Sequence, residues 1–477
     1  MKSSKMSAPT KTCLSKCSNI KKYLIQFANH HIDFRFAELK AISEIYGFTV
    51  ETEEEKCKSG SPFLTIELNS EDEARQLMSR TVLIRSIFEL WGHGANYDEL
   101  YRQVNSLPAA VKEPCFHETK SFRINVETYN KTIQQADKVK IIESLPLDIF
   151  DFKGKVNLKN PDNVFGLFEY YGPSDTGPPD QPYHIYFGRW IADGQRELIR
   201  QYHLTKRLFI GNTSMDAGLS LLMSNIGQVK QNSLVFDPFV GTGSLLVACA
   251  HQGGYVMGAD LDYLLLHAKA KPSRQNQKQR AADESIYGNL CQYNKGHHYL
   301  DVIVADSSKH KMWRCQPMFD AIITDPPYGI REGAKRIGTE KEECVLTDED
   351  KNGHIPQRVE YLMADIFKDL LNFAAKFLNL NGRLLFWFPV SRESYREENL
   401  PSHPCLRLTA NCEQVLSTRI SRRLITMVKC KEYQTTYKEE ADIQVDHYDN
   451  KSFRDLYYKK TSQNVEEMLQ KSDINDT

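Results

Sequence analysis

The hydrophobic positions in the first ninety residues change period several times. Residues 20–27 form an apolar run that reads as a strand, and residues 34–46 place Phe36, Leu39, Ile42 and Ile45 on one helical face before Gly47, a residue suited to end a helix. Two more strands are predicted, around Thr49 and over 63–68. Ser70 followed by Glu71, Asp72 and Glu73 is an N-cap with acids in the first turn of another helix, and 84–91 is apolar enough for a strand. The order βαββαβ is that of a ferredoxin-like module over residues 19–93.

Residues 94–190 read as a second α+β unit, with a helix over 97–104, a strand over 121–129 and a helix over 132–145. In 154–162 (GKVNLKNPD), Val156 and Leu158 alternate with polar residues before Asn-Pro, which predicts a strand and then a turn. The Gly/Pro-rich stretch 172–182 predicts a flexible loop, and 191–205 a linker. From Lys206 the pattern becomes apolar strands alternating with helices, the signature of an α/β domain with a parallel sheet over 206–432. Residues 433–477 are polar and acid-rich, a partly disordered tail with a helix near 464–469, and 1–18 form a disordered leader.

Composition narrows the class. The 61 Lys+Arg balance 62 Asp+Glu, so no overall basic field exists and any nucleic-acid contact must come from local patches. The longest apolar runs fall far short of the ~20 residues of a membrane span. The Lys- and Ser-rich start lacks the apolar stretch of a secretory signal; a mitochondrial presequence is the minor alternative to a simple leader. Eleven cysteines, an odd number without a CxxC pair, suggest neither a disulfide framework nor a zinc site. A cytoplasmic location is expected.

The chemistry gathers in the α/β region. Residues 233–246 are an apolar strand ending in Asp237, a turn Pro238 to Gly243 with Gly241, Thr242 and Gly243, and the start of a helix; glycines there let a ligand approach backbone N–H groups closely. Neither GxGxxG nor a P-loop ending is present, which removes support for nicotinamide and ATP. Three more strands end in acids: Asp260, placed to bind ribose hydroxyls, then Asp306 followed by Ser307, then Asp325. One such acid can be only a helix cap, but four in succession line one crevice. Asp325-Pro326-Pro327-Tyr328 is the sharpest signal. Its prolines remove two N–H donors, so Asp325 and the next carbonyl present only acceptors to an incoming amine, and Tyr328 offers a π-face to a base.

The motifs DPFVGTG (237–243) and DPPY (325–328) resemble those of class I S-adenosylmethionine-dependent methyltransferases that modify amino nitrogens. With 206–216 (KRLFIGNTSMD) and with 154–162, which resembles the RNA-binding THUMP domain, the resemblance narrows to the tRNA guanine-10 N2-methyltransferase family. Stretches 86–94, 185–194, 325–332 and 421–427 resemble its eukaryotic catalytic subunit. The resemblance implies a Rossmann-like methyltransferase domain preceded by ferredoxin-like and THUMP modules (94–190 being THUMP-like), S-adenosylmethionine as methyl donor, and no metal. It implies that Asp237, Pro238 and Gly241 to Gly243 hold the methionine portion, closed by Thr213, Ser214 and Met215. Asp260 would take the ribose, Leu261 the adenine face, Asp306 and Ser307 the adenine amine, and Asp325 to Tyr328 the target guanine. It further implies a small zinc-binding activator subunit, for which an edge strand at 384–388 or 423–429 would need cover.

For tRNA, candidate phosphate contacts are Lys206, Arg207, Arg331, Arg422 and Arg423, with a second basic group, Lys269, Lys271, Arg274, Lys278 and Arg280, explained equally well as a solvated face. Competing readings are a DNA adenine N6 or protein glutamine methyltransferase, which use a similar turn, and a non-catalytic RNA-binding scaffold.

Overall fold

In the computed structural model, which describes residues 20–173, 177–314, 316–328, 333–338, 357–434 and 441–442, the N-terminal alternation resolves into one sheet. Its strands are β1 (Lys21–Phe27), β2 (Phe63–Leu68), β3 (Ile84–Gly94), β4 (Phe122–Tyr129), β5 (Asn163–Tyr170) and β6 (His184–Asp193). They lie in the order β2-β1-β3-β6-β5-β4, with β4 and β5 parallel and the other neighbours antiparallel. The expected division at 93/94 therefore falls inside β3, which pairs with β6, and the expected linker 191–205 begins in β6 and holds the Glu197–Gln201 helix.

One face of this sheet packs Tyr23, Ile25, Ile66 and Ile87 under the Arg35–Tyr46 and Glu71–Met78 helices. The second helix starts as its sequence predicts, with Ser70 Oγ accepting the Glu73 N–H at 3.2 Å. Further along, Trp91, Phe165, Leu167 and Phe187 pack with Leu100 and Val104 of the Tyr97–Ser106 helix. The other face curls on itself. Phe63 of β2 and Tyr129 of β4, from opposite edges of the sheet, bring their ring centroids within 4.8 Å.

Two local expectations fail: neither stretch becomes a strand, although Phe48 and Val50 beside Thr49 do pack on the N-terminal core. No strand forms near Thr49; the run of acids at 53–55 instead opens a short helix, Glu54–Lys58, closed by a Lys58–Glu54 ion pair of 2.8 Å. In 154–162 only Val156 makes an isolated bridge, to Phe122, while Val156 and Leu158 stay exposed.

The second sheet comprises β7 (Leu234–Asp237), β8 (Tyr255–Asp260), β9 (Tyr299–Val304), β10 (Phe319–Thr324), β13 (Leu378–Ser391), β14 (Leu406–Val415) and β15 (Ile420–Lys429); β11 (Lys335–Ile337) and β12 (Arg358–Glu360) form a separate antiparallel ribbon. Its order is β14-β15-β13-β10-β7-β8-β9. The sheet is parallel from β13 to β9, but β15 runs antiparallel to both its neighbours, because it returns from β14 through a tight turn and inserts beside β13. The expected edge strands, 384–388 and 423–429, are consequently interior, and the outer strands are β14 and β9. Strand order reverses between β7 and β10, which opens a crevice at their carboxyl ends.

The two halves are joined by buried polar contacts. The Glu38 carboxylate accepts from Val82 N (3.0 Å), Leu83 N (3.1 Å), Thr81 Oγ1 (2.7 Å) and Asn225 Nδ2 (2.9 Å), the last on the Ala217–Ile226 helix of the second half. Phe34 packs on Trp387 of β13 with centroids 5.9 Å apart. Among the described residues no helix is long and apolar enough to cross a membrane.

Candidate active site

The crevice floor is set by β7 and its turn. Asp237 is buried, and its Oδ1 accepts from Thr324 Oγ1 at 2.6 Å and from Phe239 N at 3.0 Å. Burial pushes its carboxyl up to about 7. Gly241 and Gly243 take φ of +51° and +74°, and a Cβ at Gly241 would meet nothing within 4 Å, so the turn faces open space where a ligand can approach the backbone. Pro238 lies beside Phe239 and Ser307 over a small cavity closed by Tyr361.

The other implied cofactor residues converge here. Asp260 Oδ2 accepts from Gly241 N (2.9 Å) and Oδ1 from Asp262 N (2.9 Å), tying the end of β8 to the glycine turn; burial raises its pKa. Ser214 Oγ and Thr242 Oγ1 are 2.6 Å apart, which brings the Thr213 to Met215 segment onto the same turn, with Met215 buried. That segment precedes the Ala217–Ile226 helix, whose N-cap is Asp216. Asp306 accepts from Ser308 N (2.9 Å) and Ile337 N (2.7 Å), and the Leu261 carbonyl accepts from Arg358 Nη2 (3.1 Å). The β11–β12 ribbon thus touches two of the three residues assigned to adenine, Leu261 and Asp306. Open backbone at Gly241, two strand-end carboxylates with lone pairs to spare and a hydroxyl pair fit a nucleoside-bearing cofactor.

Asp325 follows β10 directly. Its carboxylate is held on one side by the Tyr328 hydroxyl, which donates to Oδ1, and on the other by Arg422 Nη1, 3.3 Å from Oδ2. Burial raises the Asp325 carboxyl, opposed by the Arg422 charge and the Tyr328 bond; burial and the Asp325 charge drive the Tyr328 phenol well above its ordinary range. Tyr328 is therefore bound to Asp325, and its ring is partly buried against the cores on both sides of the sheet. Pro326 is buried and Pro327 half-buried.

The proposed phosphate contacts do not form one surface. Arg207 is buried, donating to Ser244 Oγ (2.8 Å) and the Tyr202 carbonyl (3.0 Å), so it fastens the methyltransferase half rather than facing RNA. Lys206 is exposed. Arg422 and Arg423, adjacent on a strand, point to opposite faces: Arg422 to Asp325, and Arg423 to Asn411 Oδ1 (2.6 Å) and the Tyr395 ring. Both are committed within the chain. Arg331 lies outside the described residues. Arg274 and Arg280 turn inward onto the carbonyls of Leu208 and Ala270, which leaves Lys269, Lys271 and Lys278 exposed.

Thr324, Trp387, Gln414 and the ribbon residues Ile337 and Arg358 are additions that sequence reasoning missed. One signal was present for Arg422: of two consecutive arginines on a strand between apolar residues, one must face inward.

Two family descriptions match this architecture: "Tmrp11 THUMP N-terminal domain" over residues 21–196, and "RMKL-like, methyltransferase domain" over 205–342. The tRNA (guanine(10)-N(2))-methyltransferase TRMT11 of Mus musculus is 49% identical over 444 residues, which cover 92% of this chain and 95% of the mouse protein. The chain belongs to the TRMT11 family. Human TRMT11 is 48% identical over 446 residues, with coverage of 92% of this chain and 95% of its own. The crystal structure of TrmN from Thermus thermophilus covers 86% of this chain and 99% of its own at 15% identity, with a TM-score of 0.41. TRMT11 membership makes the chain an enzyme of the methyltransferase class, with a THUMP-type N-terminal domain and a Rossmann-like methyltransferase domain.

Proposed function

We propose that this chain transfers a methyl group from S-adenosylmethionine to the exocyclic N2 amine of a guanine in tRNA, guanine-10. One observation carries the reading: at the switch point, Asp325 stands in a crevice lined by Asp237 and is followed by two prolines, so that a planar amine meets carboxylate and carbonyl acceptors with no backbone N–H from the next two residues, while Arg422 and Tyr328 take one lone pair each and leave others on the carboxylate. The cofactor supplies a sulfonium methyl; the N2 lone pair forms the N–C bond as the S–C pair leaves with sulfur, and the nitrogen's extra proton passes to water. Asp325 and the Pro326 carbonyl would hold the two amine hydrogens, and Tyr328 would stack on the base once it is flipped from the tRNA. Asp237, Gly241 to Gly243, Asp260, Leu261, Asp306 and Ser307 would hold the cofactor, with Thr213 to Met215 across the methionine end.

The test is methyl transfer from labelled cofactor to total tRNA, plasmid DNA and a release-factor-like peptide, with the methylated nucleotide mapped by digestion and mass spectrometry. N2-methylguanosine at position 10 of tRNA is expected. Label in DNA or peptide but not tRNA rejects the reading, and Asp325→Ala that binds tRNA without methylating it distinguishes an enzyme from a scaffold.

The reading includes a small zinc-binding activator subunit and a cytoplasmic location. Strand β9 supports the former: it is an outer strand with Leu300 (50% exposed) and Val304 (45%) in the open. Such an edge invites strand pairing by a partner. Leu300→Glu should abolish co-purification with the activator and lower activity; unchanged assembly would remove β9 from the interface.

A further inference from the structure

Arg422 lies on β15, one strand in from the β14 edge of the second sheet, paired in register with Pro389 of β13 and Gln414 of β14. Its side chain is 16% exposed. The guanidinium carbon lies over the Trp387 ring, 4.0 Å from its centroid, while Nε donates to Gln414 Oε1 at 2.7 Å and Nη1 meets Asp325 Oδ2 at 3.3 Å. A cation–π contact and two engaged donors fix both its position and its direction. Its Nε and Nη1 donors are thus engaged within the chain rather than held out to a phosphate.

We propose that Arg422 is a positioning residue: it keeps Asp325 an ionised, oriented acceptor for the amine that is methylated. The inference rests on the amine-methyltransferase reading above and deepens it.

The surrounding charges explain why such a residue is needed. The groups facing this pair are Asp237 and Tyr328 from the crevice, Trp387 and Gln414 from the flanking strands, and, across the junction, His31 of the N-terminal half with Asp216 at the start of the Ala217–Ile226 helix. Among the described residues Arg422 is the one cation paired with Asp325. Without it, a poorly solvated carboxylate beside another acid would take up a proton, and a protonated carboxyl presents a donor where the amine also donates. A neutral amide would accept equally well with no counter-ion, so the Asp–Arg pair stands or falls together. The ring beneath Arg422 is also touched by Phe34, so the N-terminal half is packed against the catalytic support.

The full chain, co-purified with whatever subunit it needs, is tested as Arg422→Gln, Arg422→Lys, Asp325→Asn and the double variant, on whichever of tRNA, DNA or peptide the wild type methylates. At pH 7, Arg422→Gln should lose about tenfold or more in kcat, with KM and S-adenosylhomocysteine affinity within about twofold. Its deficit should shrink as pH rises, because the acid limb of its profile moves up. Arg422→Lys should recover part of the loss, and the double variant should be no worse than the worse single one. A kcat loss that is independent of pH and additive in the double variant would overturn the proposal in favour of a purely structural role. Unchanged kcat with weakened, less salt-dependent tRNA binding would overturn it in favour of a phosphate contact. Wild-type transfer to DNA or peptide alone would reject the tRNA reading while still testing Arg422; no transfer to any acceptor would overturn both.

Discussion

Thr324 Oγ1 donates a 2.6 Å hydrogen bond to Asp237 Oδ1 and so joins the ends of β10 and β7, the two strands that flank the crevice. Thr324→Val keeps the shape and deletes the donor, leaving Asp237 with the Phe239 N–H alone. A buried acceptor that loses a partner costs about 1–3 kcal/mol. The variant should unfold at lower denaturant and bind S-adenosylhomocysteine several-fold more weakly by calorimetry; full affinity would mean that Asp237 does not contact the ligand.

Asp237 also gives a pH dependence with a definite sign. Its folded pKa, about 7, stands above the unfolded value of 3.8. The protonated form is therefore favoured by folding, and the stability it contributes below about pH 4 is lost as pH rises through about 7. Asp237→Asn removes that loss, on the order of 4 kcal/mol for a three-unit shift. Its stability relative to wild type, from urea melts, should grow between pH 5 and pH 8. A difference that is constant across that range would contradict the assignment.

Arg207 and Lys206 are neighbours with opposite expectations. Arg207→Ala removes two charge-assisted bonds and the packing of a buried stem, and should cost about 3 kcal/mol in unfolding free energy. Lys206→Ala should leave stability within about 0.5 kcal/mol, as exposed substitutions do. Equal stabilities would return Arg207 to the surface.

Glu38 receives four donors, so its site requires acceptors. Glu38→Gln sets an NH2 group against donors on one side and should destabilise the chain by about 2 kcal/mol, although its charge is removed and burial raises the carboxyl's pKa. Limited proteolysis should then cut between the two halves sooner. Wild-type resistance in Glu38→Gln would show that the halves do not depend on this contact.

The β11–β12 ribbon leans on two adenine-side residues, Asp306 and Leu261. Ile337→Pro deletes the N–H given to Asp306, and Arg358→Ala deletes the bond to the Leu261 carbonyl. Each should weaken S-adenosylhomocysteine binding by about tenfold if the bond is worth about 1.4 kcal/mol, with little effect on free methionine. Unaltered binding would make the ribbon a bystander.

The four strand-end acids were legible because each follows an apolar run of strand length, and parallel order puts such ends on one rim. Ser70 and Gly47 were legible from local capping chemistry, Gly47 adopting φ +77° at the end of its helix. The pairing of β3 with β6 joins residues about a hundred positions apart and leaves no local trace. The burial of Arg207 depends on Tyr202 and Ser244, whereas its immediate neighbour Lys206 suggests only a basic surface. The antiparallel insertion of β15 likewise depends on which neighbour it finds, and from its sequence β15 reads as one more apolar strand.

That insertion has a consequence for the order of synthesis. The glycine turn, Asp260 and Asp325 are all translated before β15, which brings Arg422 and slides between β13 and β14. A nascent chain can thus assemble a cofactor crevice on the ribosome while its catalytic acid still lacks a counter-charge. On the reading proposed above, the support for Asp325 is therefore completed only when β15, the last strand of the sheet in chain order, has been made.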